Sequence, residues 1–263
     1  MYPHPGVATI RDEAICVRLW DWSETSQTVS LFTREHGMLR GLAKGAKREH
    51  SPYSGGFELL TRGEIVAIVK KEGQLATLTA WDLVEPYRAL RGTLAGFYSG
   101  CAAADIVHHA VTDHDPHPAL YDAMVEALGR IELNPGGAML GLVWSTLCET
   151  GYRPSLDLSR GDAGAAGGVG GAEPETFGFS PRLGGLVGDP AFGGGGEGPV
   201  WRVRGETVAV LRGMDRGAGV AGSAASVSRA LRLLLAYLSE ILGREPPAVR
   251  PFLGVLPGSS GGS

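Results

Sequence analysis

Basic side chains cluster in one short stretch near the amino terminus. Residues 34–48 carry five Lys or Arg and one acidic residue, a net charge of +4 in 15 residues. The basic residues there are Arg34, Arg40, Lys44, Lys47 and Arg48, and Lys70 and Lys71 follow further along the chain. Such side chains neutralise backbone phosphates, so the cluster predicts a nucleic-acid ligand. The alternative is a solvated face or a charged edge strand, because edge strands often carry Lys.

Two aromatic residues follow the basic cluster in a predicted loop. Tyr53 and Phe57 are candidates for stacking on the bases of a single strand, because proteins that bind single strands combine basic grooves with aromatic platforms. The alternative is that both rings anchor the loop in a hydrophobic core.

Histidines form a second candidate site. His108, His109, His114 and His117 fall within ten residues, with Asp113 and Asp115 among them. Imidazole and carboxylate are suitable ligands for zinc, iron or manganese. However, the spacing differs from the metalloprotease pattern of two His on one helix with Glu between them. Histidines near the carboxyl end of a helix also interact favourably with its dipole, which is the alternative.

Composition excludes several functional classes. The chain has 263 residues, three widely spaced cysteines and a net charge of −4, which hides charges of −1, −7 and +4 in residues 1–85, 86–200 and 201–263. No apolar run is long enough to span a bilayer and no secretory leader is present, so we expect a cytoplasmic protein without a membrane partner. Phosphate-binding loops, dinucleotide fingerprints and nucleophile elbows are also missing. We therefore expect no enzymatic activity that depends on these motifs and no cofactor that they would bind.

Alternating apolar and polar residues extend from Thr9 to about Glu85. This pattern predicts five half-buried strands, and so many strands without a covering helix favour a small closed barrel. In the third strand, Leu39, Gly41 and Ala43 would face one side, with Arg40, Leu42 and Lys44 on the other. Glycines and alanines between the basic residues would keep this surface flat enough for a nucleic-acid backbone to approach.

After Pro86 the apolar spacing changes to three and four residues, which predicts helices packed as a bundle. The predicted helices are Tyr87–Val111, Pro118–Ile131, Gly137–Thr150 and Ser226–Leu242, the last closed by Gly243. Between them, residues 161–198 contain 15 of the 41 glycines, which predicts a flexible insertion around one short hairpin in the segment TFGFSPRLGGLV.

The segment SETSQTVSLFTREHGMLRGLAKGAKRE resembles the opening barrel signature of the bacterial recombination mediator RecO family. The matching residues are Glu24, Leu31, Phe32, Thr33, Gly37, Ala43, Lys44, Gly45, Ala46, Lys47 and Arg48. The segments LTAWDLVEPYRALR, LCETGYRPSLD, FSPRLGGLV and LSEILGREPPAVRPFL are also similar to that family. The resemblance covers every part of the chain except the glycine tract, and AKGAKR is its most specific piece.

The resemblance implies an α+β protein, with an amino-terminal five-stranded OB-fold β-barrel followed by an all-α helical bundle. We expect the barrel at residues 1–85, the helical domain at 86–160 and 200–257, a glycine-rich insertion at 161–199 and a tail at 258–263. Family members often place zinc-binding cysteines around this insertion, but this chain has no cysteine after Cys148. We therefore expect no zinc and a degenerate finger in its place.

The resemblance also implies a role in recombinational DNA repair through binding of single- and double-stranded DNA and strand annealing. The implied partners are the RecR mediator, the tail of the single-strand-binding protein and, indirectly, the recombinase RecA, with a location at the nucleoid. Two alternatives stay open. One is a metal-dependent enzyme built on the four histidines, and the other is an adaptor that docks a peptide on its helices without binding DNA.

Overall fold

The computed structural model describes residues 8–48, 50–54, 56–69, 74–158, 175–189 and 198–256. The chain divides into two compact units. The first comprises Met1–Glu132 and Pro246–Val255, and the second comprises Leu133–Glu245 and Leu256–Ser263. The lysines Lys70 and Lys71 and most of the glycine tract lie outside the described residues.

The first unit contains a closed sheet of five long strands and one short strand. The strands are β1 (Ala8–Asp21), β2 (Gln27–Thr33), β3 (Gly37–Ala43), β4 (Tyr53–Ser54), β5 (Arg62–Val69) and β6 (Ala76–Glu85). They are ordered β3-β2-β1-β5-β6-β4, and a parallel pairing of β3 with β6 closes the ring. The five long strands confirm the predicted OB-fold barrel, and only the two-residue β4 is additional.

The alternation in β3 is confirmed by burial. Leu39 and Ala43 lie in the barrel core, whereas Arg40 is exposed on the opposite face. Gly41 also faces inward, where a Cβ would approach Leu78 Cδ2 to 2.5 Å. Any side chain at this position would force the Leu78 side chain to move where β3 and β6 come together.

Tyr53 and Phe57 do not present their rings for stacking on bases, and the alternative that both rings anchor the loop in a hydrophobic core is confirmed. Both residues are only 4% exposed and belong to the barrel core. The ring of Phe57 lies 4.9 Å from that of Trp81 and 5.3 Å from that of Tyr53, and the Tyr53 hydroxyl donates a hydrogen bond of 2.7 Å to the Leu78 carbonyl. The segment after the basic cluster thus turns inward, and its two rings fill the barrel core.

Helices of the first unit are α1 (Leu94–Ala110), α2 (Pro118–Arg130) and α6 (Val249–Val255). The prediction of one helix from Tyr87 to Val111 is wrong in its first turns. Tyr87 adopts a left-handed conformation with φ +43°, and a separate 3-10 helix occupies Arg88–Arg91. The α-helix begins only after Thr93, whose side chain accepts a hydrogen bond from the Gly96 N–H at 3.0 Å. Cap geometry therefore overrides the apolar spacing.

Asp105 of α1 connects three elements of the first unit. Its carboxylate is almost fully buried and forms an ion pair with Arg18 of β1. The same carboxylate accepts a hydrogen bond of 2.9 Å from the Ala248 N–H, just before α6. A buried carboxylate with both partners in place holds α1 on the strand and orients the incoming helix.

The second unit contains α3 (Pro135–Glu149), α4 (Gly205–Asp215) and α5 (Ala224–Leu242), with a sheet ordered β8-β7-β9. Its strands are β7 (Thr176–Ser180), β8 (Gly185–Val187) and β9 (Trp201–Arg204). The antiparallel pair β7–β8 is the hairpin expected in TFGFSPRLGGLV, while β9 and α4 were not predicted. Helix α5 ends at Gly243 with φ +67°, as the sequence indicated, but it begins after the Ser223 cap, two residues before the predicted start.

No helix within the described ranges has the length and apolarity needed to cross a membrane.

Substituting Asp105→Ala is expected to lower the free energy of unfolding by about 2–3 kcal/mol, because it leaves Arg18 without its partner and the Ala248 N–H unsatisfied. Urea denaturation followed by circular dichroism measures this loss. The matched control is Asp122→Ala, which removes a carboxylate that is 57% exposed and paired with Arg34. A stable Asp105 variant beside a destabilised control would contradict the assignment.

Substituting Phe57→Ala is expected to cost about 3–4 kcal/mol of stability, because it opens a cavity beside Trp81 in the barrel core. The same substitution at Phe97, which is 42% exposed on α1, serves as the control and should cost much less. Thermal and urea denaturation give both values. A Phe57 variant of unchanged stability would show that the ring is not a core residue.

Candidate nucleic-acid interface

The outer face of β1, β2 and β3 presents two rows of side chains. Ser30 of β2 lies opposite Arg18 of β1 and Arg40 of β3. Two residues further along the strands, Thr28 lies opposite Trp20 and Leu42. Residues in register share a face of the sheet, and the core-facing residues of β2 and β3 are the intervening ones. The face formed by β2 and β3 is where OB-folds bind oligonucleotides, together with neighbouring loops.

The basic candidates lie at one end of this face. Arg40 projects from β3, while Lys44, Lys47 and Arg48 occupy the turn that follows it, all exposed to solvent. Arg34 lies in the turn between β2 and β3. The structure therefore brings Lys44, Lys47 and Arg48 together and leaves Arg34 at the other end of β3. Lys70 and Lys71 stay predictions.

Carboxylates partner three of the five described candidates. Both Nε and Nη2 of Arg34 donate to the Asp122 carboxylate at 3.0 and 2.9 Å, and Nη1 lies 2.7 Å from Glu35 Oε1. The ammonium of Lys47 is 2.6 Å from Asp21 Oδ1. These hydrogen bonds lower the pKa of both Asp122 and Asp21, so the pairs remain ionic at neutral pH.

Arg40 is more weakly held, with its Nε 3.3 Å from Asp113 Oδ2 and 58% of its side chain exposed. Lys44 and Arg48 have no carboxylate within salt-bridge distance among the residues that the structure describes. A guanidinium and an ammonium without internal counter-charges are free to meet phosphates. The ion pairs thus reduce the basic cluster to Lys44 and Arg48, with Arg40 beside them.

Two tryptophans supply the exposed aromatic surface that sequence reasoning assigned to other residues. Trp20 and Trp22, at the end of β1 and just beyond it, are 51% and 63% exposed. Trp22 borders a cleft of about 380 Å³ together with Ser23, Lys44 and Arg48. The sequence LWDW contained this information, because alternation along the predicted first strand places Trp20 and Trp22 on the same side as each other.

The four histidines do not form a metal centre. Within the described part of the chain, no three His, Cys, Asp or Glu side chains are grouped as metal ligands. His109 Nδ1 contacts the Asp105 carbonyl at 2.7 Å, and His117 Nε2 contacts Asp115 at 3.2 Å. His114 adopts a left-handed conformation with φ +62°, and its N–H donates to the Met38 carbonyl. The alternative of a metal-dependent enzyme built on the four histidines therefore lacks a set of metal ligands.

His108 is the histidine that faces the barrel surface. It is half-buried against Trp20, Ser30 and Arg40. Burial lowers the pKa of its imidazole to about 4, and the positive charges of Arg18, His109 and Arg40 act in the same direction. The imidazole is therefore neutral near pH 7.

Stability is expected to fall as the pH drops from 6.5 to 4. In that window the unfolded chain protonates His108 at its ordinary pKa while the folded chain does not, so the unfolded state binds more protons. Thermal denaturation across the window measures the slope. The variant His108→Gln should show a shallower slope, and His114→Gln, in an exposed turn, should keep that of the parent. Identical slopes in all three proteins would contradict the environment described for His108.

Comparisons with known proteins agree with this architecture. The family described as "Recombination protein O N terminal" matches residues 7–87, and "Recombination protein O C terminal" matches residues 91–251. The chain is 28% identical over 247 residues to the DNA repair protein RecO of Myxococcus xanthus, which covers 90% of this chain and 94% of the relative.

The DNA repair protein RecO of Anaeromyxobacter dehalogenans is 30% identical over 242 residues, or 90% of this chain and 92% of the relative. That of Rhodopirellula baltica is 36% identical over 119 residues, which cover 45% of this chain and 44% of the relative. The two family matches cover the barrel and the helical part in succession. The chain therefore belongs to the RecO family of DNA repair proteins.

Proposed function

We propose that this protein is a non-enzymatic recombination mediator that binds single- and double-stranded DNA through the outer face of β1–β3. The observation that carries the proposal is a pair of exposed cations, Lys44 and Arg48, which have no carboxylate partner among the described residues and lie beside the exposed Trp22. Cations neutralise phosphates and release counterions, which supplies affinity without sequence preference. An exposed indole adds stacking on bases, which favours single strands.

Strand annealing follows from the same surface without a catalytic residue. Two complementary strands repel each other through their phosphates, and a basic surface that holds one strand lowers this repulsion for the second. The bases need to stay accessible for pairing, so a shallow, open contact suits the task better than an enclosed channel. No bond is made or broken, and no cofactor takes part.

Family membership supports the partner proposals. We propose that the protein acts with RecR to help load RecA, and that it contacts the tail of the single-strand-binding protein, in the cytoplasm at the nucleoid. Lys70 and Lys71 are proposed to extend the DNA surface from the connection between β5 and β6. Lys47, although paired with Asp21, lies in the same turn as Lys44 and Arg48 and is proposed as part of their surface. Arg34, paired with Asp122 at the other end of β3, is proposed as a separate DNA contact.

A peptide-docking adaptor is the second candidate, and one groove favours it. An apolar cleft of about 400 Å³ lies between β1 and α1, lined by residues such as Leu19, Leu59, Cys101 and Pro247. It would accept the apolar side chains of an extended peptide. A protein that binds an acidic, aromatic-ended peptide but not DNA would favour this candidate over the first.

Substituting Lys44→Ala and Arg48→Ala together is expected to weaken binding to single-stranded DNA by roughly tenfold, because two phosphate contacts are lost. A salt titration by fluorescence anisotropy should show the slope of log K against log salt falling in magnitude by about 1.4, at about 0.7 for each phosphate on a single strand.

The matched control removes two other cations from the same unit, Arg88 in the 3-10 helix and Arg130 at the end of α2. This control changes the net charge equally and should leave affinity and slope close to those of the parent. Equal losses in both double variants would mean that overall charge, and not this surface, governs binding. Unchanged binding in the Lys44/Arg48 variant would remove the site assignment.

A further inference from the structure

A second cleft of about 430 Å³ lies on the outer face of the barrel. It is lined by Trp20, Thr28, Ser30, Arg40, Leu75 and His108. The first four come from β1, β2 and β3, Leu75 directly precedes β6, and His108 lies in the last turns of α1. Cavities of a few hundred Å³ are large enough for small ligands. The cleft is therefore assembled from five separate elements around one concave space.

Two polar atoms at this cleft lack partners. Ser30 Oγ and His108 Nδ1 are both buried, and neither has a hydrogen-bond partner among the described residues. Ser30 is only 1% exposed and projects from the outer face of β2. Buried polar groups in proteins nearly always find partners, so two orphans on one cleft indicate a ligand that supplies them. Both groups are neutral near pH 7, so each offers a hydrogen bond to a ligand without adding charge to the cleft.

The other side chains that line the cleft offer apolar surface and a positive charge, in contrast to Ser30 and His108. Trp20 is 51% exposed and Leu75 is 39% exposed, so both present apolar surface to solvent. Arg40 is the cation of the cleft, with 58% of its side chain exposed and a single carboxylate, Asp113, at 3.3 Å. A ligand that matches all three has a flat apolar ring, polar atoms on the ring edge and an attached anion. A nucleotide has this combination.

We propose that this cleft binds one nucleotide of a single DNA strand, with its base beside Trp20 and Leu75, the polar edge of the base at Ser30 and His108, and its phosphate at Arg40. The proposal rests on the proposed function, because it deepens how the outer face of β1–β3 holds a strand. The row Trp20–Thr28–Leu42 continues towards Lys44, so the DNA strand can pass from this cleft to Lys44 and Arg48.

An acidic peptide that ends in an aromatic residue also carries a ring and an anion. The nucleotide fits better, because a phenyl ring would leave Ser30 Oγ and His108 Nδ1 unpartnered, whereas every base has hydrogen-bonding groups on its edge. The base is held by neutral contacts and the backbone by cations. These two contributions are separable by experiment.

The test compares two fluorescent strands of equal length and charge, one of thymidine nucleotides and one of abasic residues, by anisotropy at fixed salt. The full-length parent is expected to prefer the thymidine strand. The variant Ser30→Ala/His108→Leu should lose about fivefold in affinity for that strand, as expected for two hydrogen bonds, and nothing for the abasic strand. The variant His108→Gln should retain the preference, and the surface control His114→Leu should match the parent.

If the Ser30→Ala/His108→Leu variant loses the preference for the thymidine strand but binds the abasic strand as the parent does, the result supports nucleotide binding in the cleft. Unchanged binding of both strands, or an equal loss on both, overturns it and leaves the proposed function in place. Failure of the parent to bind either strand overturns the proposed function itself. The cleft proposal is also overturned if an acidic, aromatic-ended peptide loses affinity in the double variant while the thymidine strand does not. Melting curves of each variant establish that the fold is intact.

Discussion

Closure of the barrel between β3 and β6 is the constraint on which the rest of the first unit depends. The two strands pair in parallel at Gly41 with Ala76 and at Leu42 with Thr77. Once the ring is closed, every strand has an inside and an outside, and a shift of one residue would exchange them. Closure therefore decides that Leu39 and Ala43 pack in the core while Arg40 and Ser30 face outwards. Gly41 permits it, because a Cβ there would collide with Leu78.

Electrostatics then selects among the outward-facing cations. A chain of net charge −4 cannot bind DNA through its overall charge, so binding needs a local surface. Acidic residues on α2 and β1 pair with Arg34 and Lys47, so these two cations carry less uncompensated charge. In the turn after β3, Lys44 and Arg48 have no carboxylate partner among the described residues. Trp22, which borders a cleft with Lys44 and Arg48, adds exposed aromatic surface beside that turn.

Sequence patterns predicted much of this architecture, and their failures have a common origin. The five strands, the hairpin β7–β8 and helices α2, α3 and α5 follow from periodicity and turn residues. The break before α1 and the burial of Tyr53 and Phe57 do not, because each depends on contacts between segments far apart in sequence. Tyr53 is buried because Trp81 and Leu78 are beside it, and nothing in residues 51–57 encodes that proximity.

The sequence by itself determined the family, the barrel and the position of the basic cluster, since alternation, composition and short signatures are local properties. Which members of that cluster are available for a ligand was decided only by the tertiary structure. Salt bridges such as Arg34–Asp122 join residues 88 positions apart, and the cleft around Ser30 and His108 joins β2 with α1. Pairing, burial and cavity shape arise when distant segments pack, so the candidate site became visible only in the folded protein.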